Sequence, residues 1–403
     1  MRYVFVADDF TGASDTLATL SRAGLRTRLY LAPPTLAEVQ DLDAFGIATA
    51  SRSMERDALT ATMQHIAEAL KPHAPEVIHL KVCSTFDSSA AVGNIATAMN
   101  VLSEGLAPAT TVVLGGQPSL GRYCLFGNLF AKGGDGNVHR IDRHPVMRDH
   151  PVTPMREADL RRHFANLGLP NLALLDLLAL RSGGLLPDNP VLCDVLDESD
   201  QRALKERLAS SPFPQLWVGP SSVAETCFPE ASPPQLPDSL PGPLLVFVGS
   251  RSPVTAAQVA AATGFTKVVI PAGTLAHQPD EPYRRLRKLL ASGSHVLAVL
   301  DEDLNHGLSP ADMAQRSAEL LARLMAEHAV GTVLVAGGDT SSLAIHALAP
   351  RSIDYTGQLS AGVAICCAHF TNGGRLPVIL KGGQMGGIDL FDQVRAMVQR
   401  EPR

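Results

Sequence analysis

TVLVAGGDTS, residues 332–341, decides the fold: a strand-like run, Thr332–Val335, passes through paired glycines into a helical pattern over Ser341–Leu348. The same design occurs twice more in the second half of the chain. Leu244–Val248 leads into Gly249-Ser250-Arg251-Ser252-Pro253 and a helix over Val254–Thr263. Val378-Ile379-Leu380 leads into Lys381-Gly382-Gly383-Gln384-Met385-Gly386-Gly387. Strand, tight turn and helix in alternation signal βα units and a parallel sheet. In open α/β sheets ligands gather at the C-terminal ends of the strands. Glycine lets the backbone approach closely there, and free N–H groups with the helix dipole favour an anion. Ser252 suits a helix cap with Pro253 at the first helical position. One such turn is what any α/β protein needs; three in one domain point to phosphate.

Working outward, further strands are expected at Lys267–Ile270 and Val296–Leu300. A long helix over 309–328 should open on Ser309 and Pro310, and a terminal helix should cover Asp389–Gln399. The first half repeats the pattern, with strands at Arg2–Ala7, Val77–Val82, Thr111–Leu114, Leu172–Leu175, Val191–Asp194 and Gln215–Val218. Helices are expected at Ala13–Arg22, ending by Gly24, and at Leu59–Leu70 and Asp200–Ala209. GGDGN, residues 133–137, reads as a loop tip. Proline-rich residues 229–243 (PEASPPQLPDSLPGP) interrupt the pattern as an interdomain linker would. The expected architecture is two α/β domains with mainly parallel sheets, 1–228 and 244–403, and a ligand cleft between them.

Composition narrows the function. With 403 residues, 45% hydrophobic, 18% charged and a net charge of −6, the chain reads as a soluble globular protein with no bias towards nucleic acid. No apolar run approaches the roughly 20 residues that span a bilayer. Six scattered cysteines lack metal or disulfide spacing and read as reduced thiols of a cytoplasmic protein. Walker-type phosphate loops, G-x-G-x-x-G after a strand, and the protein-kinase signatures are all missing from the sequence.

The first domain opens on VADDFTGASD, residues 6–15, with Asp8 and Asp9 at the end of a strand. Successive side chains point to opposite sides, so one acid faces a ligand while the other caps the helix. The facing acid could bind sugar hydroxyls or take the proton from an attacking hydroxyl. KVCSTFDSS, residues 81–89, places Lys81 and the hydroxyls of Ser84 and Thr85 after another strand, which suits a carboxylate or a hydroxyl-rich substrate. Arg52, in Ser51-Arg52-Ser53, is a second cationic anchor. Cys83 reads as a small buried hydrophobe rather than a nucleophile. Two His–Pro turns, at 144–145 and 150–151, lie in a long proline-dense loop, and no histidine pair has metal-ligand spacing.

ADDFTGASD, KVCSTFDSS, SRSPVTAAQ, GGDTS and KGGQMGG run in this order from residue 7 to residue 387. Together they resemble the four-carbon acid sugar kinases. The resemblance implies an N-terminal domain that binds the acid sugar, a C-terminal domain that binds ATP, and phosphorylation at the terminal hydroxyl. Carried over, the nucleotide site includes Ser252, Gly337, Gly338, Asp339, Thr340 and Gly386, with Gly382 and Gly383 in the same turn. The substrate side includes Asp8, Asp9, Thr11, Arg52, Lys81, Ser84 and Thr85.

Much of the family reads Lys-x-Asp-Ser-Thr-Leu-Arg-Gly at the central motif. Here Cys83, Asp87 and Ser88 depart from that pattern, and the CSTFDS and HPVTPM stretches resemble the branch acting on 3-oxo-tetronates.

The expected mechanism is positioning and charge neutralisation. The 337–341 and 382–387 turns cradle phosphates, Mg²⁺ bridges phosphate oxygens, and Asp8, Asp9 or Asp339 accepts the hydroxyl proton. Lys81 and Arg52 hold the substrate carboxylate. The acceptor is a 3-oxo-tetronate, with D-threonate or D-erythronate as the alternative. A homodimer is the candidate assembly, with no nucleic-acid or membrane partner. A dinucleotide-dependent α/β enzyme and a non-catalytic acid sensor are the rival classes.

Overall fold

A computed structural model describes residues 1–150, 152–187, 189–229, 236–301, 307–326, 330–360 and 362–398; the side chains of 310, 311 and 339 also lie outside the described set. The chain forms two compact units, Met1–Pro233 and Pro234–Arg403. Leu240 is buried in the second unit, where its N–H meets the Met397 carbonyl, and the Thr332 hydroxyl donates to the Pro241 carbonyl. The latter part of the proline-rich stretch is therefore packed structure.

The first unit is built on parallel strands in the spatial order 173–175, 191–193, 110–114, 215–219, 77–81, 3–7, 44–48, 27–30. Each described pairing in this run is parallel. The strand Tyr3–Ala7 is buried throughout, as expected for a sheet covered on both faces. It lies between Ala44–Ala48 and Val77–Lys81, so the three segments that leave these strands emerge side by side. The chain order departs in both directions from Tyr3–Ala7, and this switch point is where an open sheet leaves a crevice. The helix Phe10–Arg22 follows at once and closes with Gly24 at φ +84°, the left-handed position that glycine accepts after a helix.

A second, antiparallel sheet of four short strands (116–117, 122–125, 128–132, 138–140) belongs to the first unit and was not anticipated. GGDGN is the turn between its last two strands. The hairpin Arg122–Lys132 turns on Phe126 and Gly127, both with positive φ. Such two-residue turns normally signal themselves with Asn-Gly or Asp-Gly. Here buried Asp194 accepts both turn N–H groups, at 2.5 and 2.9 Å, and holds the phenylalanine in place from 68 residues away.

The second unit orders its strands 352–360, 363–369, 375–381, 332–336, 244–248, 296–300, 266–270. The first three pair antiparallel and the rest parallel. The hairpin 352–369 is an addition to the sequence reading. The long helix starts at Pro310, and Ser309 and Asp312 exchange capping hydrogen bonds. Among the described residues no helix is long and apolar enough to cross a membrane.

Phe5 and Gly46 are opposite one another in neighbouring strands, and a Cβ on Gly46 would lie 2.0 Å from the Phe5 ring. The glycine exists to seat that ring. Gly46→Ala should destabilise the first unit by about 1–3 kcal/mol, read as a lower urea midpoint. An unchanged midpoint would show that the ring can move aside.

Candidate functional site

The three neighbouring strand ends in the first unit bring Asp8, Asp9, Arg52 and Lys81 together. Arg52 follows its strand in a single 3₁₀ turn, Ser51–Ser53. Its Nε and Nη2 donate to the two oxygens of Asp8 at 3.0 and 2.9 Å, and Nη1 pairs with Asp9 Oδ2 at 2.9 Å. Asp9 is the helix cap, its Oδ1 accepting the Gly12 N–H at 2.7 Å. Buried Lys81 completes the group, and a Cβ on Gly12 would lie 2.1 Å from its Nζ. That glycine in DDFTG leaves the space the ammonium occupies, where its charge favours the ionised form of both carboxylates.

Two carboxylates and two cations share this buried place, and their environments differ. Burial raises the Asp8 carboxyl above its ordinary value against the pull of Arg52, and the charge of Asp9 adds to the rise. Burial also opposes ionisation of Asp9, but Arg52, Lys81 and the Gly12 N–H outweigh it and hold this carboxyl low. Arg52 is buried too, yet the two aspartates keep it firmly protonated. Arg52, expected as a carboxylate anchor, thus has all three guanidinium nitrogens engaged by the aspartates. The Thr11 hydroxyl oxygen is buried beside them with no hydrogen-bond partner.

The central motif forms a tight turn, with the Phe86 N–H on the Cys83 carbonyl at 3.0 Å and Phe86 at φ +53°. Buried Phe86 anchors that unfavourable conformation. Ser84 stands half-buried on the turn. Thr85 donates to Asp87 at 2.5 Å, and the Thr153 hydroxyl donates to the other Asp87 oxygen at 3.2 Å. The His–Pro loop is therefore tied to this motif, and Asp87 is occupied by hydroxyls. Burial pushes the Cys83 thiol up to about 11, which makes it a poor nucleophile at neutral pH.

In the second unit the three glycine turns converge. A Cβ on Gly249 would lie 2.6 Å from Thr340 Oγ1; one on Gly383 would lie 2.5 Å from Ser250 Oγ; one on Gly337 would lie 3.2 Å from the Ser250 nitrogen. Gly337, at φ +133°, precedes a helix that starts at Gly338, so GGDTS forms the helix N-terminus itself. Ser252 caps the neighbouring helix through the Val254 N–H at 3.2 Å. The Asp339 side chain, a candidate proton acceptor, lies outside the described residues. Gln258 Nε2 donates to the carbonyls of Met385, Gly386 and Gly387 at 2.9–3.1 Å and fixes the last turn. A cradle lined by backbone that side chains would fill suits a nucleotide's phosphates. Among the described residues no three His, Cys, Asp or Glu side chains are grouped to hold an ion.

Residues 3–227 match a domain family described as a sugar-binding N-terminal domain, and residues 245–391 match a nucleotide-binding C-terminal domain. The chain belongs to the four-carbon acid sugar kinase family. It is 32% identical to a 3-oxo-isoapionate kinase from Paraburkholderia graminis, over 97% of this chain and 93% of that one. It is 29% identical to a 3-oxo-tetronate kinase from Methylobacterium radiotolerans, over 98% of each. A solved Salmonella typhimurium structure, described as a putative tRNA synthase, shares the fold with a TM-score of 0.80 at 23% identity, over 98% of each chain. The protein is a carbohydrate kinase, and its nucleotide-binding domain implies ATP as phosphoryl donor.

Lys381, in KGGQMGG, has no role that its sequence neighbourhood signals. It is fully buried, with Nζ on Thr255 Oγ1 at 2.9 Å, and Thr255 donates to the Gly383 carbonyl at 2.8 Å. Burial lowers this lysine to about 8. Its folded value is thus below the unfolded value of about 10.4, and between the two the unfolded chain holds more protons. Stability should therefore rise with pH across that window. Urea unfolding from pH 7 upwards should show wild type gaining on Lys381→Met between about pH 8 and 10. Parallel pH profiles would contradict the assignment.

Proposed function

We propose that the protein transfers the γ-phosphoryl group of ATP to the terminal hydroxyl of a four-carbon 3-oxo acid, a 3-oxo-tetronate or a close branched relative. The observation that carries this reading is the pair of buried carboxylates joined by one guanidinium at the switch point of the sugar-binding unit; burial pushes Asp8 up while Arg52 and Lys81 hold Asp9 down. Asp8, with its raised value, accepts the proton of the attacking hydroxyl. Asp9 stays ionised, caps the helix and pairs with Arg52, in the field of Lys81. Thr11, Ser84 and Thr85 offer hydroxyls to the sugar.

Ser252, Thr340 and the backbone at Gly337, Gly338, Gly382, Gly383 and Gly386 hold the nucleotide phosphates. Mg²⁺, when bound, neutralises phosphate charge, and it keeps several waters because it dehydrates reluctantly. The chain's own residues then supply position and a proton acceptor, which is most of what phosphoryl transfer asks of a protein.

The 3-oxo preference is supported by the CSTFDS departure and by relatives whose names specify 3-oxo acids. Asp87, which stands where the other branch carries an arginine, is held by the Thr85 and Thr153 hydroxyls, so that position brings no cation to the substrate. ADP release should be measured with 3-oxo-tetronate, 3-oxo-isoapionate, erythronate and threonate. The 3-oxo acids should outpace the others, and Asp8→Asn should lower kcat about 10²–10⁴-fold with KM for ATP unchanged. No turnover with any of these acids would overturn the reading.

A further inference from the structure

Arg52 engages the two aspartates, so the candidate site needs another cation if it is to recognise an acid. Arg122 stands out among the described residues. It begins the short strand Arg122–Leu125 of the antiparallel sheet, opposite Gln117, and Gly121 just before it sits at φ +69°. Its Nη1 donates to the Leu120 carbonyl, while its Nε is buried with no hydrogen-bond partner. A buried guanidinium N–H left unmatched is costly unless something fills it.

Among the described residues no carboxylate pairs with Arg122, as one usually does with such a group. Burial lowers its proton affinity, and the groups that oppose this are the Cys83 thiol and the Tyr123 phenol. Burial keeps that thiol uncharged at neutral pH, pushed up to about 11. His144 also senses the guanidinium as a repelling charge. The strand 110–114 lies one strand from 77–81, across 215–219, and its end runs into Gly116-Gln117, opposite Arg122, so Arg122 leaves the same C-terminal edge of the sheet as Lys81. One guanidinium there is saturated with carboxylates; the other has none.

We infer that Arg122 binds the carboxylate of the acid sugar, and that the antiparallel sheet exists in this unit to deliver it. The planar fork of a guanidinium matches a carboxylate through paired N–H donors. Arg52 is then a positioning residue for the aspartates, and Lys81 belongs to the neutral cluster rather than to the substrate's acid group. The Thr11 hydroxyl provides a separate unmatched polar atom for the sugar chain. A phosphoryl group offers oxygens of the same kind, so the test must separate the acid from ATP.

The assignment rests on the acid-sugar kinase reading, so binding and turnover are measured separately. Binding of the 3-oxo acid without ATP is followed by calorimetry, and turnover by ADP release, for wild type, Arg122→Gln and Arg122→Lys. On wild type alone, the acid is also compared with its uncharged amide, which needs no variant to fold. Arg122→Gln should weaken acid binding and raise its KM at least tenfold, with KM for ATP within twofold and melting temperature unchanged. Arg122→Lys, keeping the charge but losing the fork, should fall between, and wild type should bind the amide at least tenfold more weakly than the acid.

Wild-type turnover of the acid with unchanged KM in Arg122→Gln would overturn the role of Arg122 alone. A raised KM for ATP instead would place the residue on the phosphates and equally overturn it. Wild type that neither binds nor turns over any four-carbon acid would overturn the kinase reading and this assignment together.

Discussion

The candidate site in the first unit depends on one guanidinium fork. Arg52 spans both oxygens of Asp8 and reaches Asp9 with its remaining nitrogen, all within hydrogen-bonding distance. Two adjacent buried carboxylates would otherwise repel each other and neutralise. Removing one partner of such a group typically costs about 3–5 kcal/mol, because the charge left behind has no match. The parallel sheet makes the fork possible by setting three strand ends side by side. Gly12 makes room for the Lys81 ammonium; against burial, Arg52, Lys81 and, least, the capping N–H hold Asp9 ionised, while burial and the charge of Asp9 raise Asp8. The inequality between the two acids follows from their different supports rather than from residue type.

The second unit meets a different constraint. Its three turns approach one another so closely that a side chain at Gly249 or Gly383 would collide with a neighbouring serine or threonine. Backbone is thereby left to face an anion, with a helix N-terminus starting at Gly338 beneath it. Gln258 and the Lys381–Thr255 pair fix the KGGQMGG turn from below through carbonyls rather than carboxylates. The buried lysine stays destabilising until it loses its proton.

Much of this was legible in the sequence for identifiable reasons. Runs such as LLVFV and TVLVA followed by glycine turns carry a strong local signal, and the strands they predict are present to within a residue or two. DDFTG announced the helix cap on Asp9, but the divergence expected of adjacent residues on extended chain gave no hint that both acids would meet on one guanidinium. The antiparallel sheet was illegible because its hairpin turns on Phe126 and Gly127, and what stabilises that turn is Asp194, far away in sequence. Arg52 could be marked as an anchor from sequence, but not as one already matched by both aspartates. Arg122 and Lys381 gave no local cue, since what distinguishes them is burial without a counter-charge. Those properties belong to packing, which no short motif encodes.

The account stands on the unequal state of Asp8 and Asp9, and a carboxyl ¹³C NMR titration of the aspartates, assigned with Asp8→Asn and Asp9→Asn, measures it directly. Asp9 should remain ionised to below the ordinary carboxylate range while Asp8 titrates above it. Both carboxyls titrating together at the ordinary value, or Asp9 taking up its proton first, would contradict the fork as the organising feature of this site.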